Sequence, residues 1–389
     1  MWLYLIIFII PLFAYMSGGA VNRNKFFLAW YMGALALFVG LADMFGGYDR
    51  YIYGAIFDSI ADGITYGQTY SSISALMFYE YGYSMLSFLI ALITENRYIY
   101  IFIITLIIYF CIYRSFEKNM TNYPLAMIIF LGMVFFFTFT YLRQVLAFSV
   151  AWLGVTYLIE KKKWKFFAIV ILVAMLHKSG IVFAALYFMP MKKLKPGVVI
   201  AMLLCCALIG FSGITGALYD AFANVSSMDS MNSYSTGSST RVAYFLEVTF
   251  IVWLILANYK NIEPTRRNLI FLNMAWIFCG LLLLFIRSSD GGRVAWFFTL
   301  GIIYIVVMIC STKLSHTRIK NGLGALMVVV MMALYVRVYV SWQNYNNLYP
   351  YKTFLSDGYR YPDYSWERYE YDHRYDQDKF YRPAFRFLK

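Results

Sequence analysis

Charge is scarce in this chain. Only 14% of its 389 residues are Asp, Glu, Lys or Arg, while 61% are hydrophobic. A soluble domain carries about 25% charged and 45–50% apolar residues, so a soluble enzyme and a disordered chain are both excluded. Cysteine is sparse as well. Cys111, Cys205, Cys206, Cys279 and Cys310 all fall in apolar runs, at spacings that suit neither a metal site nor a redox pair. They read as small buried hydrophobes, and a disulfide scaffold is excluded. No Walker A loop, no G-x-G-x-x-G and no H-E-x-x-H occurs. Asp376-Gln-Asp378 has the D-x-D form of metal-dependent sugar-nucleotide transferases, but three residues in a charged tail carry no weight. The opening MWLYLIIFIIPLFAYM has no Lys or Arg ahead of its apolar run, unlike a signal peptide, and reads as a first span.

What the chain has instead is long apolar runs, with a mean hydropathy of +0.62. A membrane helix needs roughly 20 such residues. The expected fold is therefore all-α: a polytopic integral membrane helical bundle of about 11–12 membrane segments. Candidate spans are 1–16, 26–45, 98–113, 124–140, 142–159, 166–176 with 178–189, 197–217, 243–258, 269–286, 294–310 and 322–340. The stretch 166–189 joins two basic hinges and is too short for two full spans. It predicts a pair of short helices or a re-entrant hairpin, with His177-Lys178-Ser179-Gly180 at the turn. The run 81–94 is also too short to span and reads as broken or re-entrant. A transmembrane domain over 1–340 thus carries external loops 46–97, 218–242 and 287–293. A Tyr-rich external tail follows over 341–389. No fold is assigned to that tail; its rings suit a sugar face or the membrane interface.

The net charge is +13. Orientation bias accounts for much of it, and nucleic acid is not implied. Loops assigned to the cytoplasm hold seventeen Lys/Arg against three acids, Glu117, Glu160 and Glu263. External loops hold seven basic residues against eight acids. The N-terminus and the tail fall outside in this topology.

Bases left on the outer side need a reason. Arg143 sits at the tip of an apolar hairpin, where an arginine either snorkels or meets an anion. Arg287 and Arg293 bracket a glycine-containing turn able to cradle a phosphate. Arg241 stands where the Ser-rich loop meets a span. His177 can act as a general base, kept neutral by the adjacent Lys178. Asp49 and Glu80, each at an external helix end, are further candidates for a base or a hydroxyl ligand. Either also fits a helix N-terminus.

Three segments carry a resemblance. They are Gly47-Tyr-Asp-Arg-Tyr-Ile-Tyr53, then Glu80-Tyr-Gly-Tyr83, and Leu142-Arg-Gln-Val-Leu-Ala147 continuing to Ala174-Met-Leu-His-Lys-Ser179. A weaker fourth is Arg293-Val-Ala-Trp-Phe-Phe298. The pattern resembles the EpsG family of Wzy-type exopolysaccharide, O-antigen and capsule polymerases. The resemblance implies a glycosyltransferase of the bacterial inner membrane. It would transfer a growing glycan from undecaprenyl diphosphate onto a lipid-linked repeat unit at the outer face, without metal, nucleotide or other cofactor. It implies catalytic roles among Arg143, His177, Asp49 and Glu80. Diphosphate or glycan contacts would come from Arg143, Lys178, Arg241, Arg287, Arg293 and Tyr53. Partners would be the undecaprenyl-diphosphate-linked oligosaccharide, membrane lipids, a flippase and a chain-length regulator, with no nucleic acid. The rival readings are a flippase or transporter of lipid-linked glycan, an O-antigen-type ligase, and a non-enzymatic membrane scaffold.

Overall fold

The computed structural model describes residues 2–42, 48–78, 80–216, 240–288, 291–311, 319–343, 348, 351, 353–355 and 382–388. Asp376-Gln-Asp378, most of the tail, most of loop 218–242 and the centre of the 287–293 turn lie outside these. The described residues are helical, with one isolated antiparallel bridge between Ala42 and Thr353. The protein is a polytopic membrane helical bundle. Among the described residues, five helical segments are long and apolar enough to cross a bilayer, and seven shorter apolar helices accompany them.

Polar caps set the helix starts. Asn24 accepts from the N–H groups of Phe26 and Phe27 and opens α2, Lys25–Leu41. Asn96 does the same for α5, Arg97–Asn119, and Asn122 for α6, Tyr123–Met133. Each cap satisfies N–H groups that the helix itself leaves open. At about 1.5 Å per residue, the 23 residues of α5 exceed a hydrocarbon core of roughly 30 Å.

Contacts divide the chain into two compact units. The first comprises Met1–Leu153, Ile171–Lys178 and Thr317–Lys389. Here α2 packs along α5, and α6 lies against both α1, Trp2–Ser17, and the helix Ile319–Gln343. A Cβ on Gly132 would stand 2.9 Å from the Met331 carbonyl oxygen, so the last crossing is close enough to need glycine. An aromatic core of Tyr4, Phe8, Phe135, Phe136 and Tyr335 fills the space between them. Its hydroxyls are satisfied: Tyr4 donates to the Leu348 carbonyl at 2.9 Å and Tyr335 to the Tyr4 carbonyl at 2.8 Å. Lys25 pairs with Glu117 at 3.1 Å, which brings the hinges after α1 and α5 to one end, as a common side of the membrane requires.

The external stretch 46–97 holds the expected short, non-spanning helix, α4 (Tyr81–Ala91), and a second helix the sequence does not predict, α3 (Tyr48–Thr65). With 11 residues, α4 reaches about 16 Å and is too short to span. The tail, left without a fold, is also partly packed. Tyr351 stacks on Phe38 with centroids 4.2 Å apart, and Phe354 on Tyr98 at 5.2 Å.

The second unit is Gly154–Val170 with Ser179–His316. Its three basic hinges meet at one end. Lys193 donates to the Ile262 carbonyl at 2.7 Å, and Arg266 to that of Leu158 at 2.9 Å. The helices Pro196–Ser212 and Arg266–Leu284 cross tightly: a Cβ added to Gly210 would collide with the Leu283 carbonyl oxygen.

Candidate functional site

The site starts from a broken helix. Phe135–Phe139 form a 3-10 turn, and α7, Leu142–Ile159, begins three residues later. Arg143 therefore lies in the first turn of α7. A cation is disfavoured at a helix N-terminus, so it requires an anion nearby. Glu80 supplies one: Arg143 Nη1 donates to Glu80 Oε2 at 2.8 Å, with 9% of the Glu80 side chain and 24% of that of Arg143 exposed.

Glu80 stands at the head of α4 in extended conformation, and its side chain caps no N–H of that helix. The carboxylate instead serves its own backbone N–H and partners outside α4. Its second oxygen, Oε1, accepts the backbone N–H of Lys178 at 3.1 Å. Lys178 follows α8, Lys163–Leu176, where the helix gives way at His177 to a 3-10 turn over Lys178–Ala184. The predicted break at 177–180 is therefore present, and it delivers an amide to Glu80. Burial pushes the Glu80 carboxyl up, but Arg143, His177 and the Lys178 amide outweigh it and hold the group below its ordinary value.

Gly82 explains the spacing Glu80-Tyr-Gly. A Cβ there would lie 2.9 Å from Met175 Cβ and 3.0 Å from its carbonyl carbon and oxygen. Only glycine lets the head of α4 approach the end of α8, and that approach brings Glu80 to Lys178. Tyr53 on α3 completes the wall. The Arg143 guanidinium carbon is 6.0 Å from its ring centroid, within cation–π range, and the ring lies 5.9 Å from that of Tyr83. Tyr100 donates to the Tyr83 hydroxyl at 2.8 Å and stacks on Phe57 at 4.1 Å, holding that wall from behind.

Arg50 is a residue that sequence reasoning passed over. It is fully buried and donates to the carbonyls of Phe139 at 3.2 Å, Val39 at 2.9 Å and Ala42 at 2.9 Å. One guanidinium thereby ties α3 to the end of α2 and to the turn that leads into Arg143. Its signals were a basic residue on the disfavoured side and a place within the segment Gly47–Tyr53. Arg97 and Asp58 were also read as loop charges; they form a buried ion pair between α5 and α3.

The structure thus brings Arg143, Glu80, Lys178 and Tyr53 together, with His177 adjoining. Asp49 lies on α3 one turn before Tyr53, in the first turn of that helix. Arg241, Arg287 and Arg293 belong to the second unit. There the Arg241 N–H donates to the Ile286 carbonyl at 2.8 Å, placing Arg241 beside the turn that carries Arg287. Arg287 donates to the Phe211 carbonyl at 3.3 Å, and Arg293 lies in the 3-10 helix Gly291–Phe298. The Gly291 amide is already taken by Ser288 Oγ at 2.9 Å.

A model of the EpsG family matches residues 30–353, most of the chain. No curated protein and no solved structure matches it.

Proposed function

The chain belongs to the EpsG family, and we propose from that premise that it is a polysaccharide polymerase of the bacterial inner membrane. It takes a growing glycan from undecaprenyl diphosphate and joins it to a lipid-linked repeat unit on the outer face. The acceptor hydroxyl attacks the anomeric carbon of the donor. The carbon–oxygen bond to the diphosphate breaks, and undecaprenyl diphosphate leaves with the bonding pair. The acceptor proton goes to a base.

One observation carries this reading: the Arg143–Glu80 ion pair at 2.8 Å, with the Lys178 amide on the same carboxylate. A guanidinium held by a buried carboxylate in a partly dry site is preorganised for charge that develops on a leaving diphosphate. Tyr53 suits the sugar ring face beside it. Glu80 is a poor base, because both its oxygens are engaged and its acidity is raised. Its role is to aim Arg143. That leaves Asp49 and His177 to take the proton. We assign it to His177, which sits in the helix break next to Lys178. The N-terminus and the tail face outward in this reading. A flippase supplies the substrate, and a chain-length regulator is a partner.

The test is the glycan profile of a deletion strain rescued with wild type or Arg143→Ala. Long chains should disappear in the deletion, with single lipid-linked units accumulating on the outer face. Wild type should restore the long chains and a normally expressed Arg143→Ala should not. Units trapped on the cytoplasmic face would mean a flippase, and long chains left on the lipid carrier a ligase. An unchanged profile would sink the reading.

A further inference from the structure

The segment Arg382–Leu388 makes its own set of bonds within the first unit. Arg386 places its guanidinium where two helices stop. Nε donates to the carbonyl of Ala91, the last residue of α4, at 2.7 Å. Nη2 donates to the Ala61 carbonyl at 2.8 Å and Nη1 to Thr65 Oγ1 at 2.9 Å, both in the last turns of α3. Glu95 lies 3.5 Å from the same guanidinium, and the Arg386 N–H donates to the Ile93 carbonyl at 2.9 Å.

Arg382 binds beside it. Nη2 meets Asp62 at 2.7 Å, and Nη1 is 3.8 Å from Asp58. Its own carbonyl accepts from Asn96 Nδ2 at 2.8 Å, and Asn96 is the residue that caps α5. Two arginines thus grip the last turns of α3, the end of α4 and the start of α5. The chemistry is favourable on each count. Helix C-termini attract cations. A planar guanidinium holds five N–H donors in a rigid fork, which reaches acceptors on separate helix ends better than a compact lysine ammonium.

The two helices held here are the two that wall the candidate site at their other ends. Tyr53 lies in the first half of α3, and Glu80 stands at the head of α4. We infer that Arg382 and Arg386 are positioning residues: by clamping α3 and α4 at their far ends, they set the spacing at which Tyr53 and Glu80 flank Arg143. The clamp itself follows from these bonds, while its effect on catalysis rests on the polymerase reading above.

The test uses the purified full-length chain in detergent, with lipid-linked repeat units extracted from the deletion strain as probe. Wild type is compared with Arg382→Ala/Arg386→Ala, with Arg386→Lys, and with Phe387→Ala, whose side chain is exposed. The double variant should unfold several degrees lower and show a KM for the unit raised about fivefold per folded protein. Arg386→Lys should fall between it and wild type, and Phe387→Ala should match wild type. A lost fold would lower the amount of active protein and leave KM alone. A lower unfolding temperature with unchanged KM therefore overturns the positioning role, and an unchanged unfolding temperature overturns the clamp. Wild type that fails to lengthen the unit overturns the polymerase reading, and the positioning role with it.

Discussion

Arg143 and Glu80 are 63 residues apart in the chain and 2.8 Å apart in space. The bond runs from the first turn of α7 to the head of α4, and both residues gain from it. The arginine is at the wrong end of a helix dipole, and the carboxylate is buried. An Arg143→Lys variant keeps the charge but loses the fork that can hold Glu80 and a phosphate oxygen together. Chain lengthening should fall by about 100-fold or more, the usual cost of one preorganised donor. The measurement is glycan length against time in membranes of equal protein content.

The same pair gives a pH dependence. The Glu80 carboxyl titrates lower in the folded protein than in the unfolded chain, because Arg143, His177 and the Lys178 amide favour its charged form. Its contribution to stability is therefore complete above the ordinary carboxylate range and is lost as pH falls through the depressed value. Unfolding temperature should decline below about pH 4.5 in wild type, and Glu80→Gln should start lower and show a shallower decline. A Glu80→Gln curve parallel to wild type would show that the pair does not carry this limb.

Asp58 and Arg97 are buried together. Removing one charge strands the other, which commonly costs about 3–5 kcal/mol. Asp58→Asn should lower the unfolding temperature sharply. Asp58→Leu combined with Arg97→Met should recover much of the loss, since an apolar pair of similar volume leaves no charge unpaired. A thermal unfolding series of Asp58→Asn, Arg97→Met and the double variant tests this.

Gly82→Ala places a methyl group against the Met175 backbone, which belongs to a helix end and yields little. Overpacking of this kind costs about 1–3 kcal/mol. The larger effect should be on activity, because the shift carries Glu80 away from Lys178 and Arg143. Chain lengthening per folded protein should drop more than the unfolding temperature alone implies. Gly33→Ala, with open space around its Cβ, serves as the control.

Composition and apolar runs determine by themselves that this is a polytopic helical membrane protein. Burial in a bilayer depends on the length and apolarity of each segment, and needs no knowledge of its neighbours. The break at His177 was legible for the same reason, as a stretch too short for two spans between basic hinges. Arg143 was legible as a charge with apolar sequence on both sides. The helix α3 was only half legible. Tyr53, Phe57, Ile60 and Ala61 fall on a helical stripe and are buried, but Asp58 and Asp62 interrupt the run and its apolarity is low. The partners of the charged residues were not legible at all. That Glu80 meets Arg143, that Arg50 joins three carbonyls and that Arg386 closes two helix ends were decided only by the tertiary structure. Each is a meeting of helix ends distant in sequence, and the local pattern around either partner holds no information about the other.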